Sequence, residues 1–434
     1  MAGPSQDKPE SELHRLRAEI RRLRAENEEL RRRLGTTGGI VPSAAEERRS
    51  SPGVTNRSPV GEKIRVFRSL FRGRDDVYPV RWENRQGRAG YSPACGNEWH
   101  QTLCDKPKIK CGACPNSRFL PVTDEVIRDH LSGKHTIGVY PILADGSCWL
   151  LAIDFDKSSW RDDARAFRDT CRDLEVPAYV ERSRSGQGAH VWIFFTSAIP
   201  AALARQLGSL ILTRATDRRP GIGLESYDRF FPSQDTVPKG GFGNLIALPL
   251  QKLPREHGNS EFLDDQLETA IDQWAHLDGI RRITPDEVER LVRRHDVGDD
   301  LLGVRRVGLL DEESDDPWIR LESPDHPQPR VAGVVPQRVD LVLSDSLYIR
   351  REGLPPQLQN KLIRLAAFQN PEFYRAQAMR MSTHGKPRFI SCADCEAGHV
   401  VLPRGCRGAA ISALEGQGIE AVVHDQRLDG HAID

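Results

Sequence analysis

The chain has 434 residues, and its 62 lysines and arginines balance 62 aspartates and glutamates, so its formal net charge is +0. That balance gives no global electrostatic reason to expect a nucleic-acid partner, and any such surface must be local. A composition of 38% hydrophobic and 29% charged residues excludes collagenous, fully disordered and membrane classes. No apolar run approaches the ~20 residues of a membrane span and no signal peptide is apparent, so we expect a cytoplasmic protein without a membrane partner.

The first segment has the spacing of a coiled coil. Its apolar positions follow a 3-4 repeat from residue 13 to residue 34, with Asn27 as the one polar residue in the seam. A single Asn at such a core position is typical of parallel dimers. We therefore predict a coiled-coil oligomerisation helix over residues 1–35 and a homodimer through residues 13–34. The alternative is a solvated charged helix, and residues 36–60, rich in Gly, Ser and Pro, are predicted to be a flexible linker.

Residues 62–118 are locally basic, and aromatic side chains are interleaved with the arginines and lysines. This pattern is typical of a surface that follows phosphates and stacks on bases, although an Arg-rich solvated face is the alternative. Four thiols crowd into the same region, at Cys95, Cys104, Cys111 and Cys114. Four thiolates suit a structural zinc ion, so we predict a zinc knuckle over residues 92–118, with His100 as a substitute ligand and free thiols as the alternative.

Strand-like and helix-like stretches then alternate, which predicts a mixed α/β or α+β core. Strands are predicted over residues 136–143, 148–155, 178–182, 189–196 and 244–250. Helices are predicted over residues 161–174, 200–214, 262–277 and 285–295. Residues 291–338 are acidic and Pro-rich and are predicted to be a second linker, and residues 339–434 a small α/β domain.

Two carboxylates lie at the end of the predicted strand that leads to Phe155. Side chains alternate along a strand, so Asp154 and Asp156 emerge on the same face. Two adjacent like charges are easiest to maintain when divalent cations neutralise them, as in a two-metal phosphoryl-transfer site. The alternative is a solvated strand end.

A glycine loop follows, and it precedes the next predicted strand. Ser185, Gly186 and Gly188 form a loop whose backbone amides can approach a phosphate, and His190 opens the strand. The alternative for this His is a structural role. Further along, Asp228 lies beside an aromatic pair and Lys239 in a second Gly-rich turn, which predicts a third metal ligand and another phosphate contact.

These motifs together resemble a known family. Asp154-Phe155-Asp156, the run from Ser185 to His190 and the later acid Asp228 are similar to motifs I, II and III of the archaeo-eukaryotic primase superfamily. Longer strings resemble its TOTE conflict system branch, namely residues 71–74, 97–99, 227–234 and 239–251. The resemblance covers roughly residues 62–277. It implies an α+β fold whose catalytic core is an RRM-like antiparallel sheet with flanking helices.

The resemblance also implies roles for individual residues. Asp154 and Asp156 would be the first two Mg²⁺ or Mn²⁺ ligands and Asp228 the third, with Glu225 as its rival. His190 would contact the phosphates of the incoming nucleotide. The remaining nucleotide-binding or template-binding positions implied are Ser185, Gly186, Gly188, Lys239 and Asn244. A Cys-rich insertion before motif I is a property of the same branch.

Residues 362–380, 387–390 and 402–406 resemble a second segment, the one that precedes the superfamily 2 helicase core in longer TOTE proteins. No Gly-x-x-x-x-Gly-Lys-Ser/Thr phosphate loop occurs in the sequence. We therefore expect ATP-driven unwinding, if it accompanies this chain, to reside in a separate helicase partner or in a longer fusion. A second thiol group, Cys392, Cys395, His399 and Cys406, fits no common zinc spacing, and free thiols are favoured there.

The sequence thus predicts a DNA primase-polymerase over residues 61–290. It would transfer nucleotides from dNTPs or NTPs onto a 3′-hydroxyl, directed by a single-stranded DNA template with or without a primer, in a setting of defence, conflict or replication and repair. Two alternatives remain open: a zinc-dependent nucleic-acid-binding module without synthesis, and a metal-dependent nuclease. The glycine loop favours synthesis, because a nuclease has no need of a triphosphate cradle.

Overall fold

The computed structural model describes residues 53–295 and 334–428, together with Arg22 and apart from residues 107, 157, 220, 221, 224, 225, 227, 382 and 384. The predicted coiled coil with its dimer contacts, most of the first linker and most of the acidic linker lie outside the described residues. Within the described residues, no helix is long and apolar enough to cross a bilayer.

The elements are numbered here in chain order. The strands are β1 (Pro79–Glu83), β2 (Ala89–Pro93), β3 (Gly138–Val139), β4 (Ser147–Phe155), β5 (Tyr179–Arg182), β6 (Ala189–Pro200), β7 (Phe230–Phe231), β8 (Ile246–Ala247), β9 (Arg338–Leu343), β10 (Leu347–Arg350), β11 (Ala367–Gln369), β12 (Phe389–Ser391), β13 (Asp394–Glu396), β14 (His399–Leu402) and β15 (Glu420–Asp425). The α-helices are α1 (Val60–Leu70), α2 (Asp124–Ser132), α3 (Trp160–Asp173), α4 (Ala201–Arg218), α5 (Lys252–Arg255), α6 (Gln273–Asp278), α7 (Pro285–His295), α8 (Pro356–Leu365), α9 (Pro371–Ala378) and α10 (Arg407–Glu415).

A four-stranded antiparallel sheet, in the order β5-β6-β4-β7, organises the first part of the chain. Its two long strands, β4 and β6, are apolar over most of their length because both faces of the sheet are covered. Leu151 and Ile153 point into one buried cluster, and Leu150 and Ala152 point into the other. Because side chains alternate along β4, this strand contributes residues to both buried clusters.

Helices α3 and α4 cover one face of this sheet. The buried side chains Trp160, Ala164, Phe167 and Cys171 recur at the helical period along α3, which gives it one apolar stripe. On the opposite face, α1 presents Phe67, and the following Phe71 packs edge-on against Trp192 with ring centroids 5.1 Å apart. The end of the sheet at Phe155 is thus held between two packed layers.

The antiparallel sheet and its flanking helices confirm the mixed α+β architecture predicted from the sequence. The predicted helix over residues 262–277 is wrong, because only α6 is helical there. Upstream of α6, Asp264 Oδ1 accepts backbone N–H groups of Gln266 and Glu268 and closes a turn, and Leu267 adopts a positive φ of 62°. The side chain of Gln273 donates to the backbone of Phe262, which fastens this turn to the sheet region.

A second sheet, in the order β13-β14-β10-β9-β15, lies in the C-terminal region and packs against α8 and α10 around its own buried cluster. Only its β15–β9 pair is parallel. The antiparallel pair β11–β12, which lies between β10 and β13 along the chain, is not part of this sheet. Its residues Ala367 and Phe389 belong to the same buried cluster as Ile153 and Phe167 of the central sheet region. This part of the C-terminal region therefore packs on the core of the central sheet.

A candidate active site at the end of the central sheet

The candidate site lies where β4 ends and β6 begins. Asp154 pairs across the strands with His190, and His190 pairs in turn with Glu181 on β5. Paired residues on adjacent strands project from the same face, so the three side chains form a row across the sheet. The structure brings together the two predicted residues of this row, Asp154 and His190.

The row is joined by hydrogen bonds and by charge. His190 Nδ1 lies 2.9 Å from Glu181 Oε2, and His190 Nε2 lies 3.8 Å from Asp154 Oδ1. Glu181 is buried, with its side chain only 1% exposed, and it also accepts a 2.9 Å hydrogen bond from Trp192 Nε1. The Glu181 carboxylate therefore holds Nδ1 of the imidazole and leaves Nε2 directed toward the carboxylate end of β4.

Burial and charge act in opposite directions on the row. Burial lowers the pKa of His190, but the Glu181 carboxylate, its hydrogen bond and the charge of Asp154 outweigh burial, and the pKa of His190 is raised. Burial raises the pKa of Asp154, an effect that His190 and Arg229 oppose and Asp156 reinforces. The row thus favours an imidazolium beside carboxylates.

Arg229 is a cation that bridges the two carboxylates. Its guanidinium lies 2.8 Å from Asp156 Oδ2 and 3.5 Å from Asp154 Oδ2, and its backbone carbonyl accepts the N–H of Asp154 at 3.1 Å. The side chains of Asp156 and Arg229 are 48% and 43% exposed, so this ion pair is open to solvent. One positive group therefore already lies within reach of both acids.

The glycine loop touches the end of β4. A Cβ on Gly188 would lie 2.6 Å from the carbonyl oxygen of Phe155, and a Cβ on Gly186, whose φ is +74°, would lie 2.6 Å from the Asn259 side chain. Glycine is therefore required at both positions. Ser185 Oγ accepts the N–H of Gln187 at 3.2 Å and shapes the turn. The loop backbone lies directly beside the Asp154 and Asp156 strand end.

Asp228 lies one residue before Arg229 and two residues before β7. Its Oδ1 accepts the backbone N–H of Arg388 at 2.9 Å. Burial raises the pKa of Asp228, whereas the hydrogen bond from Arg388 and the charges of Arg388, Arg205 and Arg229 lower it, and the net direction is upward. Glu225, the rival third ligand, lies outside the described residues.

The other predicted contacts differ in accessibility. Lys239 is exposed, and its backbone N–H donates to Arg380 O at 2.9 Å. Asn244 uses both ends of its amide locally: Oδ1 accepts the N–H of Ser233 at 3.0 Å, and Nδ2 donates to Phe230 O at 3.0 Å. The Asn244 side chain therefore braces the segment after Asp228.

The four clustered thiols line one small cavity of about 20 Å³, which Lys106 and Glu98 also border. Cys95 Sγ accepts the backbone N–H of Arg118 at 3.3 Å. Burial lowers the pKa of Lys106, but Glu98 and Cys111 outweigh it, and the pKa is raised. The knuckle also meets the second Gly-rich turn, because a Cβ on Gly112 would lie 2.0 Å from Gly240 O.

No three His, Cys, Asp or Glu side chains among the described residues converge as a ready metal cage. The donor set nevertheless fits a hard divalent cation at Asp154 and Asp156. Mg²⁺ is usually held by one or two carboxylates together with substrate phosphates and water. The guanidinium of Arg229 contacts both acids, so one cation can be shared by the pair. The four thiols supply the donor type of a zinc site.

Two residues of this site carried no predicted role. Glu181 lies on the four-residue strand β5, where its side chain is buried, and a buried acid requires a partner. Its position opposite His190 depends on strand pairing, which the sequence pattern left open. Arg229 follows Asp228 directly, but only the pairing of β7 with β4 brings its side chain to Asp154 and Asp156.

This chain matches a known protein family and is weakly similar to a solved structure. Residues 62–291, more than half of the chain, match the family model described as the TOTE conflict system, Archaeo-Eukaryotic Primase domain. No curated protein matches the chain. Among solved structures, the polymerase domain of Mycobacterium tuberculosis Ligase D in complex with DNA is similar at 17% identity and a TM-score of 0.27, over 58% of this chain and 90% of that one. A similarity this low supports no argument about function.

Proposed function

The chain belongs to the archaeo-eukaryotic primase domain family of TOTE conflict systems, and from this premise we propose that it is a primase-polymerase that joins nucleotides on a single-stranded DNA template. Family membership supports a nucleotidyltransferase of the primase-polymerase kind. The proposal goes further and assigns the reaction to the end of the central sheet. The observation that carries it is the contact of the glycine loop with the carboxylate strand end, through Gly188 and Phe155 O.

In this proposal, Asp154 and Asp156 hold catalytic Mg²⁺ or Mn²⁺, and Asp228 is the third ligand. Bound divalent cations lower the pKa of an attacking 3′-hydroxyl and stabilise the pyrophosphate leaving group. The two strand-end carboxylates provide oxygen donors on one face. Because Arg229 contacts both carboxylates, a metal held there would compete with its guanidinium, which would then be available to phosphate oxygens.

His190 and the glycine loop bind the triphosphate. Glu181 retains the proton on His190 Nδ1, so the imidazolium donates its Nε2 proton to a phosphate oxygen. The backbone amides of the loop between Ser185 and Gly188 supply further donors, because glycine lets the backbone approach closely. Lys239, which is exposed, adds a positive charge from the second Gly-rich turn.

The knuckle completes the proposal. Cys95, Cys104, Cys111 and Cys114 hold a structural zinc ion, which stiffens the part of the chain that contacts the Gly240 turn. The exposed ring of Trp99, 70% accessible, and the nearby lysines give this region a surface for template phosphates and bases. The homodimer through residues 13–34 and a separate helicase partner remain predictions.

The test is a synthesis assay on the full chain. A single-stranded template is offered with Mg²⁺ or Mn²⁺ and with dNTPs or NTPs, in the presence and absence of a labelled primer. Template-dependent products are expected from the wild type, and the Asp154→Ala plus Asp156→Ala variant should make none. Asp265→Ala, which removes a carboxylate that is 81% exposed, is the matched control and should retain full synthesis.

The same reactions separate the alternatives. Shortening of the labelled primer with no added nucleotides incorporated would identify a nuclease. Template binding without synthesis under every metal and nucleotide condition would identify a binding module. The comparison of dNTPs with NTPs gives the sugar preference, and the reaction without primer tests initiation.

A further inference from the structure

The loop after Asp228 is held by a segment far downstream. That segment, Ala367–Ser391, consists of β11, α9, β12 and the turn between α9 and β12, and it lies beyond the residues 62–291 that match the primase family. Its residues Ala367 and Phe389 are 2% and 7% exposed and pack in the core of the central sheet. We call Ala367–Ser391 the strap.

The strap makes a direct hydrogen bond to the third acid. The backbone N–H of Arg388 donates to Asp228 Oδ1 at 2.9 Å, which engages one carboxylate oxygen and leaves Oδ2 for another partner. Carboxylates that bind metals are commonly held by hydrogen bonds of this kind, which fix their orientation. In β11–β12 pairing, Gln369 lies opposite Phe389, so the N–H of Arg388 lies just outside the ladder and is available for Asp228.

The side chain of Arg388 holds the same loop at a second point. It is only 7% exposed, its NH2 group donates to Ser233 O at 3.0 Å, and its guanidinium lies 4.4 Å from the ring centroid of Phe373. Arg205 NH1 donates to the same Ser233 carbonyl at 2.7 Å. Two buried guanidinium groups therefore share one backbone acceptor five residues after Asp228.

Two further contacts join the loop to the strap. Gln377 Nε2 donates to Asp235 Oδ2 at 2.8 Å, and its Oε1 accepts the N–H of Asp235 at 3.4 Å. Gln234 Nε2 donates to Thr383 Oγ1 at 2.8 Å, and both of these side chains are buried. The loop from Asp228 to Asp235 is thus fixed at both ends by residues of the strap.

We propose that the strap is a working part of the active site and that Arg388 is a positioning residue, which fixes the carboxylate of Asp228 relative to Asp154 and Asp156. This inference rests on the proposed function. Its physical basis is the pairing of β7 with β4, in which Phe230 lies opposite Ile153 and Arg229 O accepts the N–H of Asp154, so the backbone next to Asp228 is bonded to the strand that carries Asp154. A shift of the loop after Asp228 therefore moves the third acid against the other two.

The first experiment measures the contact in the metal-free full chain. Amide hydrogen exchange is followed by mass spectrometry on peptides that contain Arg388. Asp228→Ala should speed the exchange of that amide by at least tenfold, because its acceptor is lost. Asp228→Asn keeps an acceptor oxygen in place and should leave the exchange close to the wild-type rate. Equal rates in wild type and Asp228→Ala would show that the hydrogen bond does not form.

The second experiment separates the side chain of Arg388 from its N–H. Arg388→Ala removes the guanidinium, and Arg388→Pro removes the N–H as well. We expect at least a tenfold lower kcat in Arg388→Ala, a larger loss in Arg388→Pro, and partial recovery in Arg388→Lys, with little change in the KM for nucleotide. The control is Arg293→Ala on α7, whose exposed guanidinium pairs with Glu289, and it should synthesise at the wild-type rate.

Amide exchange in residues 228–235 is measured on the same variants, and it should rise in Arg388→Ala and Arg388→Pro but not in Arg293→Ala. Should Arg388→Pro fail to fold, Gln377→Ala removes a different contact of the same interface and should give the same pattern. Wild-type kcat and wild-type exchange in the Arg388 variants would overturn the inference. Absence of synthesis in the wild type would overturn the proposed function instead, and the exchange data would still decide whether the strap holds Asp228.

Discussion

Replacement of Glu181 by Gln changes charge with almost no change of shape, at the buried end of the row of side chains. The carboxylate is 1% exposed and accepts from His190 Nδ1 and Trp192 Nε1, each at 2.9 Å, and from Ser260 Oγ at 3.4 Å. Both ring N–H groups share Oε2, so the single oxygen of the amide can accept from both while its NH2 group turns toward the Ser260 hydroxyl. The substitution therefore removes the negative charge from two buried hydrogen bonds and keeps their geometry.

The structure gives the scale of the loss. Each hydrogen bond to a charged acceptor contributes about 1 kcal/mol more than a neutral one, so for two such bonds we expect Glu181→Gln to lower the free energy of unfolding by about 2 kcal/mol. Glu181→Ala removes every acceptor at once and should cost about 3–5 kcal/mol, the range for breaking a buried charged pair. If the same 2 kcal/mol is lost from the orientation of His190 in the transition state, synthesis slows roughly 30-fold.

Primer extension and denaturant unfolding measure both quantities on the same proteins. The set is Glu181→Gln, His190→Ala and the double variant, with Glu289→Gln as a control on a 47% exposed carboxylate of α7. If Glu181 acts through His190, the double variant should synthesise no more slowly than His190→Ala alone. The reasoning would be refuted if the double variant lost the product of the two single losses, or if Glu181→Gln synthesised at the wild-type rate.

Four further results are expected. His130 is buried, with Nε2 donating to Pro249 O and Nδ1 accepting the N–H of Ile137, and burial lowers its pKa from 6.5 to about 4. The unfolded chain binds this proton first, so acidification from pH 6.5 to 4 should remove about 3 kcal/mol of unfolding free energy, a slope that His130→Gln lacks in denaturant titrations. Gly188→Ala should raise the KM for nucleotide at least tenfold, whereas Gly61→Ala, whose Cβ meets nothing, leaves KM unchanged. Metal analysis should find one zinc per chain, lost in Cys111→Ser; full zinc in that variant would exclude the site. Arg229→Ala should bind Mn²⁺ several-fold more tightly by calorimetry, because no guanidinium competes for Asp154 and Asp156, and unchanged affinity would contradict that competition.

The sequence predicted the central strands well because they are long, apolar and covered on both faces. It placed Asp154 at the end of β4 and His190 at the start of β6, within one or two residues of their observed positions. It missed α2, whose start is marked by Thr123, a side chain that accepts the N–H of Val126. It also extended a helix across residues 262–277, where side-chain hydrogen bonds to the backbone favour a turn instead.

What the sequence left open depends on contacts between distant residues. No local pattern indicates that Arg388 meets Asp228, because 160 residues separate them along the chain. Strand pairing likewise places two acids beside His190: Glu181 and Asp154 are equally acidic in sequence, but the side chain of Glu181 is 1% exposed and that of Asp154 is 22% exposed. Local propensity carries no information about such register.

The balance of charge in the whole chain is repeated on a smaller scale in the site. Asp154, Asp156 and Asp228 are the acids that a metal would neutralise, and in the protein alone Arg229, with the buried Arg205 and Arg388, offsets them. Such pairing lowers the cost of keeping Asp154 and Asp156 adjacent and Asp228 half-buried before substrate arrives. The cations differ in freedom, since Arg229 is 43% exposed whereas Arg388 is 7% exposed. In the proposed site, a metal held by Asp154 and Asp156 would compete with the exposed Arg229, whereas the buried Arg388, which contacts Asp228, would keep its place.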